Sequence, residues 1–287
     1  MQNFSLGGTD MRVITADPIG LCFGVRRAIS VLEQELLKNS RVYSLGSPIH
    51  NPQEIARLEK LGLIVVDKID DIPEGAAAFV RTHGATPQVF EQLEKKCSSV
   101  IDGTCPFVKT AQERAQSLSE ENYTVVISGD KNHPEVQAIM GCVKGRAEVV
   151  SGASEIPETL RGKRCGIMSQ TTQKVTVFSE LVSAFVDMSP EIKVYNTICK
   201  ATLARQESLK RLTSDVDGII VLGGHDSANT RNLVRIAEDA SVPVLWIEYA
   251  EQLERKWFEG KESIGIAAGC STPDWLIKQL IEKLQKM

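Results

Sequence analysis

The chain has 287 residues, 42% hydrophobic and 24% charged, with a formal net charge of −4. That balance suits a globular protein of two or three modest domains and argues against nucleic acid as the main partner, because no Lys/Arg block or basic stripe occurs. No apolar run is long enough to span a bilayer and the polar start MQNFSLGGTD is not a signal peptide, so the expected compartment is the cytoplasm, with no membrane partner. Residues 1–10 read as an extension. Strands are then expected at 11–16, 41–46, 77–81, 123–128, 164–169, 217–223, 243–247 and 263–267. Helices are expected at 24–39, 52–62, 87–96, 106–121, 173–188, 202–213, 229–240 and 273–286. This alternation predicts an α/β architecture with mostly parallel sheets.

In such sheets ligands bind beyond the carboxyl ends of the strands. The polar motifs gather there: GSPIHNP after the second predicted strand, RTHGAT after the third, SGDKNHPEV, SQTTQ, GGHDSANT and AAGCSTP after later ones. Helix caps account for many of the Ser, Thr, Asp and Asn residues but not for histidine. The four histidines, His50, His83, His133 and His225, all fall in these loops. Neither a phosphate-loop GxxxxGK[ST] nor a GxGxxG after a strand is present, which weakens a nucleotide-dependent reading.

Seven cysteines, an odd number in a chain read as cytosolic, argue against a disulfide framework. Three share a setting. Cys22 in GLCFGVRRAI, Cys105 in DGTCPF and Cys199 in NTICKATLARQ each stand between an apolar run and a predicted helix, at intervals of 83 and 94 residues. Helix N-termini favour thiolate over thiol, and a thiolate is a nucleophile or a metal ligand. The simplest picture has three units of similar build, 11–103, 104–197 and 198–287, each offering one cysteine toward a shared centre. Structural zinc favours short spacings such as CxxC, and none occurs here. Widely spaced cysteines suit an iron–sulfur cluster, although three buried cysteines that happen to precede helices fit the spacing too. Cys97, Cys142, Cys165 and Cys270 read as core or incidental.

Taken together, GLCFGVRRAI, HNPQE, RTHGAT, DGTCPFVK, HPEV, SQTTQ, NTICKATLARQ, SANTRNL and AGCSTPDW resemble, in order and across about residues 11–286, the LytB family. These are the 4-hydroxy-3-methylbut-2-enyl diphosphate reductases that end the methylerythritol phosphate route to isoprenoids. The resemblance implies three α/β units in a trefoil around one site, and a [4Fe–4S] cluster on Cys22, Cys105 and Cys199. It implies that His50, His83, His133, Ser227, Asn229 and Ser271 grip the substrate diphosphate. Thr171 would help hold the substrate hydroxyl and a proton network, and Glu135 would be the proton source. The implied reaction is a two-electron reductive dehydroxylation giving isopentenyl and dimethylallyl diphosphates. Without a flavin or nicotinamide signature, the electrons are expected from a ferredoxin- or flavodoxin-type protein.

The chemistry of the residues agrees. A diphosphate needs many N–H and O–H donors, which helix N-termini and their loops provide without a Lys/Arg cluster. A carboxylic acid near an anion has its pKa raised and becomes a competent donor, although a glutamate in a first helical turn also simply suits the helix dipole. Three departures from the family pattern bear on substrate affinity more than on cluster assembly. Residues 225–229 read His225-Asp226-Ser227-Ala228-Asn229 in place of Lys-Asn-Ser-Ser/Gly-Asn. The HPEV helix start continues differently from HPEV-x-G-T-x-G. Cys270 stands where alanine is usual, beside Ser271, as a candidate redox-sensitive thiol. Three other readings are an iron–sulfur reductase of the same fold acting on a different phosphorylated alcohol, a non-catalytic iron–sulfur sensor, and a metal-free solute-binding α/β protein.

Overall fold

The computed structural model describes residues 2–6 and 9–287. In chain order the elements are β1 (Gln2–Leu6), β2 (Thr9–Thr15), α1 (Phe23–Lys38), β3 (Val42–Leu45), α2 (Pro52–Glu59), β4 (Leu63–Val66), β5 (Ala77–Val80), α3 (Pro87–Lys96) and β6 (Ser99–Asp102). Then come α4 (Pro106–Glu120), β7 (Thr124–Ser128), α5 (Pro134–Met140), β8 (Ala147–Val150), β9 (Cys165–Ser169), α6 (Val175–Val186) and β10 (Ile192–Tyr195). The chain closes with α7 (Lys200–Leu212), β11 (Gly218–Leu222), α8 (Ala228–Asp239), β12 (Val244–Ile247), β13 (Ser263–Ala268) and α9 (Asp274–Lys286).

The strands form three sheets, ordered β1-β2-β13-β11-β12, β4-β3-β5-β6 and β10-β9-β7-β8. Every pairing is parallel except β1 with β2, so the expected α/β class with mostly parallel sheets holds. The residues fall into two compact units. One contains 1–25, 49–57 and 200–287 and carries the first sheet. The other contains 26–48 and 58–199 and carries the other two.

In the first unit, β11 and β13 are buried along their whole length, as strands covered on both faces must be. The two-residue period of the strand divides β11 between two cores. Ile220 and Leu222 pack with Ile264, Ile266 and the α9 residues Leu276, Leu280 and Leu284. Ile219 and Val221 pack with Leu209 and Leu212 of α7 and Leu233, Val234 and Ala237 of α8. Each fully buried aliphatic side chain contributes about 1.5–3 kcal/mol relative to exposure. With helices clamping both faces, the polar loops are left at the strand ends.

In the second unit, Val125, Ile127 and Met168 pack against Ala111, Ala115 and Leu118 of α4 and Val136 and Ile139 of α5. The Gln112 side chain of α4 donates from Nε2 to the carbonyls of Ala85 (3.0 Å) and Ala138 (3.3 Å). One amide thus ties the loop after β5 to α5, the two segments that carry His83 and His133.

Gln2–Leu6, in the stretch read as an extension, form a strand antiparallel to β2, Gln2 opposite Val13 and Leu6 opposite Thr9. The first predicted strand pairs in parallel with β13, with Val13 opposite Ile264. β13 is buried along its whole length and lies between β2 and β11, so strands from near the chain's two ends share one sheet.

Candidate functional site

Six of the expected residues lie in the second unit, all in loops beyond strand carboxyl ends or at helix starts. Pro134 opens α5, where its missing N–H costs nothing, and His133 precedes it as the N-cap in extended backbone conformation. His133 Nδ1 accepts the Glu135 N–H at 3.2 Å, which fixes the ring at the mouth of the helix. The His83 ring, from the loop after β5, meets the His133 ring edge-on with centroids 5.4 Å apart.

Glu135 is only 2% exposed. Its carboxylate accepts the Thr171 N–H at 2.6 Å on Oε1 and the Thr171 hydroxyl at 2.8 Å on Oε2. Burial pushes its pKa above the ordinary glutamate value, and the two Thr171 bonds pull it back without cancelling that effect. Thr171 follows β9, and its carbonyl accepts the Cys199 N–H at 2.9 Å. Cys199 and Glu135 are therefore joined through one residue. Cys105 caps α4 in extended conformation, with Pro106 in the first turn and no capping bond from its thiol. Its N–H donates to the carbonyl of Thr82, the neighbour of His83, at 3.0 Å.

The other five lie in the first unit. Cys22 precedes α1, and its N–H donates to the carbonyl of Cys270 at 3.1 Å. The Cys22 thiol is pulled down to about 6, chiefly by a hydrogen bond from the Cys270 side chain. Burial opposes this, while the N–H groups of Val25 and Gly24 and the charge of Arg205 assist. Arg205, 4% exposed, also anchors the approach to Cys22 by donating from Nη2 to the carbonyl of Gly20 at 2.5 Å. Gly20 has a φ of +83°, and a Cβ there would stand 2.8 Å from the Asp274 carboxylate, so the turn requires glycine.

Ser227 caps α8, its oxygen accepting the Thr230 N–H at 3.3 Å and its own proton left to donate. Asn229 in the first turn is 4% exposed, yet neither its Oδ1 nor its Nδ2 has a hydrogen-bond partner among the described residues. Buried amides are rarely left so. Ser271 donates to the carbonyl of His50 at 3.0 Å. Of the departing residues, His225 and Asp226 are exposed, and His225 lies against the Trp246 ring at 4.4 Å.

Arg205 and Thr230 were not singled out from the sequence. Thr230 is fully buried and its hydroxyl also lacks a partner among the described residues. The one signal for Arg205 was an arginine five residues into a helix begun by a notable cysteine. For Thr230 it was a threonine within SANT that a cap motif absorbed too easily.

Residues 13–285 match the LytB protein family. A 4-hydroxy-3-methylbut-2-enyl diphosphate reductase of Aquifex aeolicus is 43% identical over 279 residues, 96% of each chain. One from Citrifermentans bemidjiense is 40% identical over 274 residues, 96% of this chain and 97% of that protein. Among solved structures, an (E)-4-hydroxy-3-methyl-but-2-enyl diphosphate reductase aligns with a TM-score of 0.72 at 42% identity, over 96% of this chain and all of the other. The Plasmodium falciparum E-1-hydroxy-2-methyl-but-2-enyl-4-diphosphate reductase gives 0.88 at 26% identity, over 95% and 87%.

Proposed function

Because the chain belongs to the LytB protein family, we propose that it reduces 4-hydroxy-3-methylbut-2-enyl diphosphate, removing the hydroxyl to give isopentenyl and dimethylallyl diphosphates. The observation that carries this reading is the buried Glu135 carboxyl, held twice by Thr171 and tied through it to Cys199. Loss of a hydroxyl from carbon needs a proton, and a carboxyl whose pKa is raised by burial keeps one to higher pH than an ordinary glutamate does.

The residues suit a [4Fe–4S] cluster on Cys22, Cys105 and Cys199. All three are half-buried, each directly precedes or opens a helix, and Cys22 is already biased to thiolate. When bound, such a cluster supplies electrons one at a time and a Lewis-acidic iron for the substrate hydroxyl. The chain's own groups do the rest. His50, His83, His133, Ser227, Asn229 and Ser271 bind the diphosphate through N–H and O–H donors. The Asn229 amide is the clearest of them, since its polar atoms await a partner. Thr171 orients the Glu135 carboxyl and shares the substrate hydroxyl with it. Glu135 passes its proton to the leaving oxygen, which departs as water. Electrons come from a separate ferredoxin- or flavodoxin-type protein. No described helix is long and apolar enough to cross a membrane.

The test is turnover of 4-hydroxy-3-methylbut-2-enyl diphosphate by anaerobically reconstituted protein with a reduced viologen, beside Glu135→Gln. Wild type is expected to form both products. The variant should keep its iron and lose turnover roughly 100- to 10,000-fold. Equal turnover by the two proteins would remove Glu135 from the reaction, and iron without turnover in wild type would remove this substrate.

A further inference from the structure

Cys270 lies outside the catalytic and binding groups described above, yet it meets Cys22 through both its backbone and its side chain. The Cys22 N–H donates to the Cys270 carbonyl at 3.1 Å, and the Cys270 side chain lies against the Cys22 thiol. A backbone bond between the two residues holds their Cα atoms near one another, and a disulfide bridges Cα atoms roughly 4.4–6.8 Å apart. Both side chains are half-buried, within reach of a small oxidant. Both belong to the same compact unit, so the pairing needs nothing from the rest of the molecule.

We propose that in the iron-free chain Cys22 and Cys270 form a reversible disulfide when met by hydrogen peroxide, and that this bond withholds Cys22 from iron. In the first step one thiolate attacks a peroxide oxygen. The O–O bond breaks, water leaves after protonation, and the sulfur becomes a sulfenic acid. The second thiolate then attacks that sulfur, the S–O bond breaks, and hydroxide leaves to take up a proton as a second water. Two electrons have passed from the two sulfurs to one peroxide. A dithiol reductant reverses the bond by exchange. The disulfide rests on the geometry of the first unit alone. Its consequence for iron rests on the cluster reading of Cys22.

The experiment uses the full-length chain prepared without iron, fully reduced, then given one equivalent of hydrogen peroxide and alkylated. Non-reducing peptide mapping should find Cys22 joined to Cys270, with two of the seven cysteines protected and both restored by dithiothreitol. Iron and sulfide uptake should fail in the oxidised chain and return on reduction. Cys270→Ala and Cys270→Ser should give no such link. In them peroxide should leave a sulfenic acid on Cys22, captured by dimedone. The proposal is overturned if Cys270 stays alkylatable after oxidation, or if Cys22 links equally to another cysteine in wild type and in both variants. If the 22–270 link forms while iron uptake is unchanged, the second half of the proposal fails and Cys22 is not a cluster ligand.

Discussion

Glu135 takes both of its side-chain hydrogen bonds from a single residue, Thr171, the N–H on one oxygen and the hydroxyl on the other. The carboxyl plane is thereby fixed by the end of β9 while its backbone is fixed by the start of α5. The two bonds are not equivalent. The N–H cannot be removed by substitution, whereas the hydroxyl can.

Thr171→Val deletes the hydroxyl and keeps the size. A hydrogen bond to an ionisable group contributes roughly 1.5–3 kcal/mol, so kcat should fall roughly 10- to 100-fold. The lost bond is one that holds the Glu135 pKa down, so the basic limb of the kcat profile should move to higher pH. Thr171→Ser should restore both readouts. A Val variant with a slower rate and an unmoved pH limb would show that Thr171 acts on the substrate alone.

Glu135 also makes stability depend on pH. Its folded pKa is raised, so the folded chain binds this proton more tightly than the unfolded chain does. The contribution is full below the unfolded value of about 4.3 and is lost as pH rises through the folded value. The amide introduced by Glu135→Gln can still accept the Thr171 N–H and donate to its hydroxyl, but it carries no titrating proton. The variant's Tm should therefore gain on wild type as pH rises from about 5 to about 8. Parallel Tm curves over that range would mean the carboxyl is not buried as described.

The sequence displayed the α/β class and the loop positions of the chemistry because both have strong local signals. Central strands such as IIVLG at 219–223 are unbroken apolar runs, and helix starts carry Pro, Ser and Thr at fixed offsets. The strands left unpredicted were Gln2–Leu6, Leu63–Val66, Ser99–Asp102, Ala147–Val150 and Ile192–Tyr195, and each is an edge of its sheet. An edge strand is paired on one side and partly exposed, so SVID or IKVY carries too little apolar pattern to stand out. Long-range partnership was hidden for another reason. Nothing local in MRVIT says that its neighbour is SIGIAA some 250 residues on. The motifs marked Asn229 and Glu135, but that one has a buried amide without a partner and the other a buried acid held by Thr171 depends on the folded surroundings.

Asn229 should show a trade between stability and binding. Leaving a buried amide unpaired costs about 1–3 kcal/mol. Asn229→Leu removes the unsatisfied atoms at similar volume. Its Tm should match or exceed that of wild type, while KM for the diphosphate substrate rises at least roughly tenfold. The measurement is a melt alongside steady-state kinetics. A lowered Tm with unchanged KM would make the amide a structural group rather than a ligand for phosphate.

Gly224 packs against the His50 backbone. A Cβ there would stand 2.7 Å from the carbonyl of His50, the same residue whose carbonyl takes the Ser271 hydroxyl. Because the clash is with backbone, it cannot be relieved by turning a flexible side chain. Gly224→Ala must instead push the His50 segment or the α8 start aside, at about 1–3 kcal/mol. His50, Ser227, Asn229 and Ser271 are all assigned to diphosphate binding, so the displacement should raise KM strongly. Glu135 and Thr171 lie on other elements, so saturating substrate should recover most of kcat. A fall in kcat with KM unchanged would mean that the loop serves the chemical step rather than the grip on phosphate.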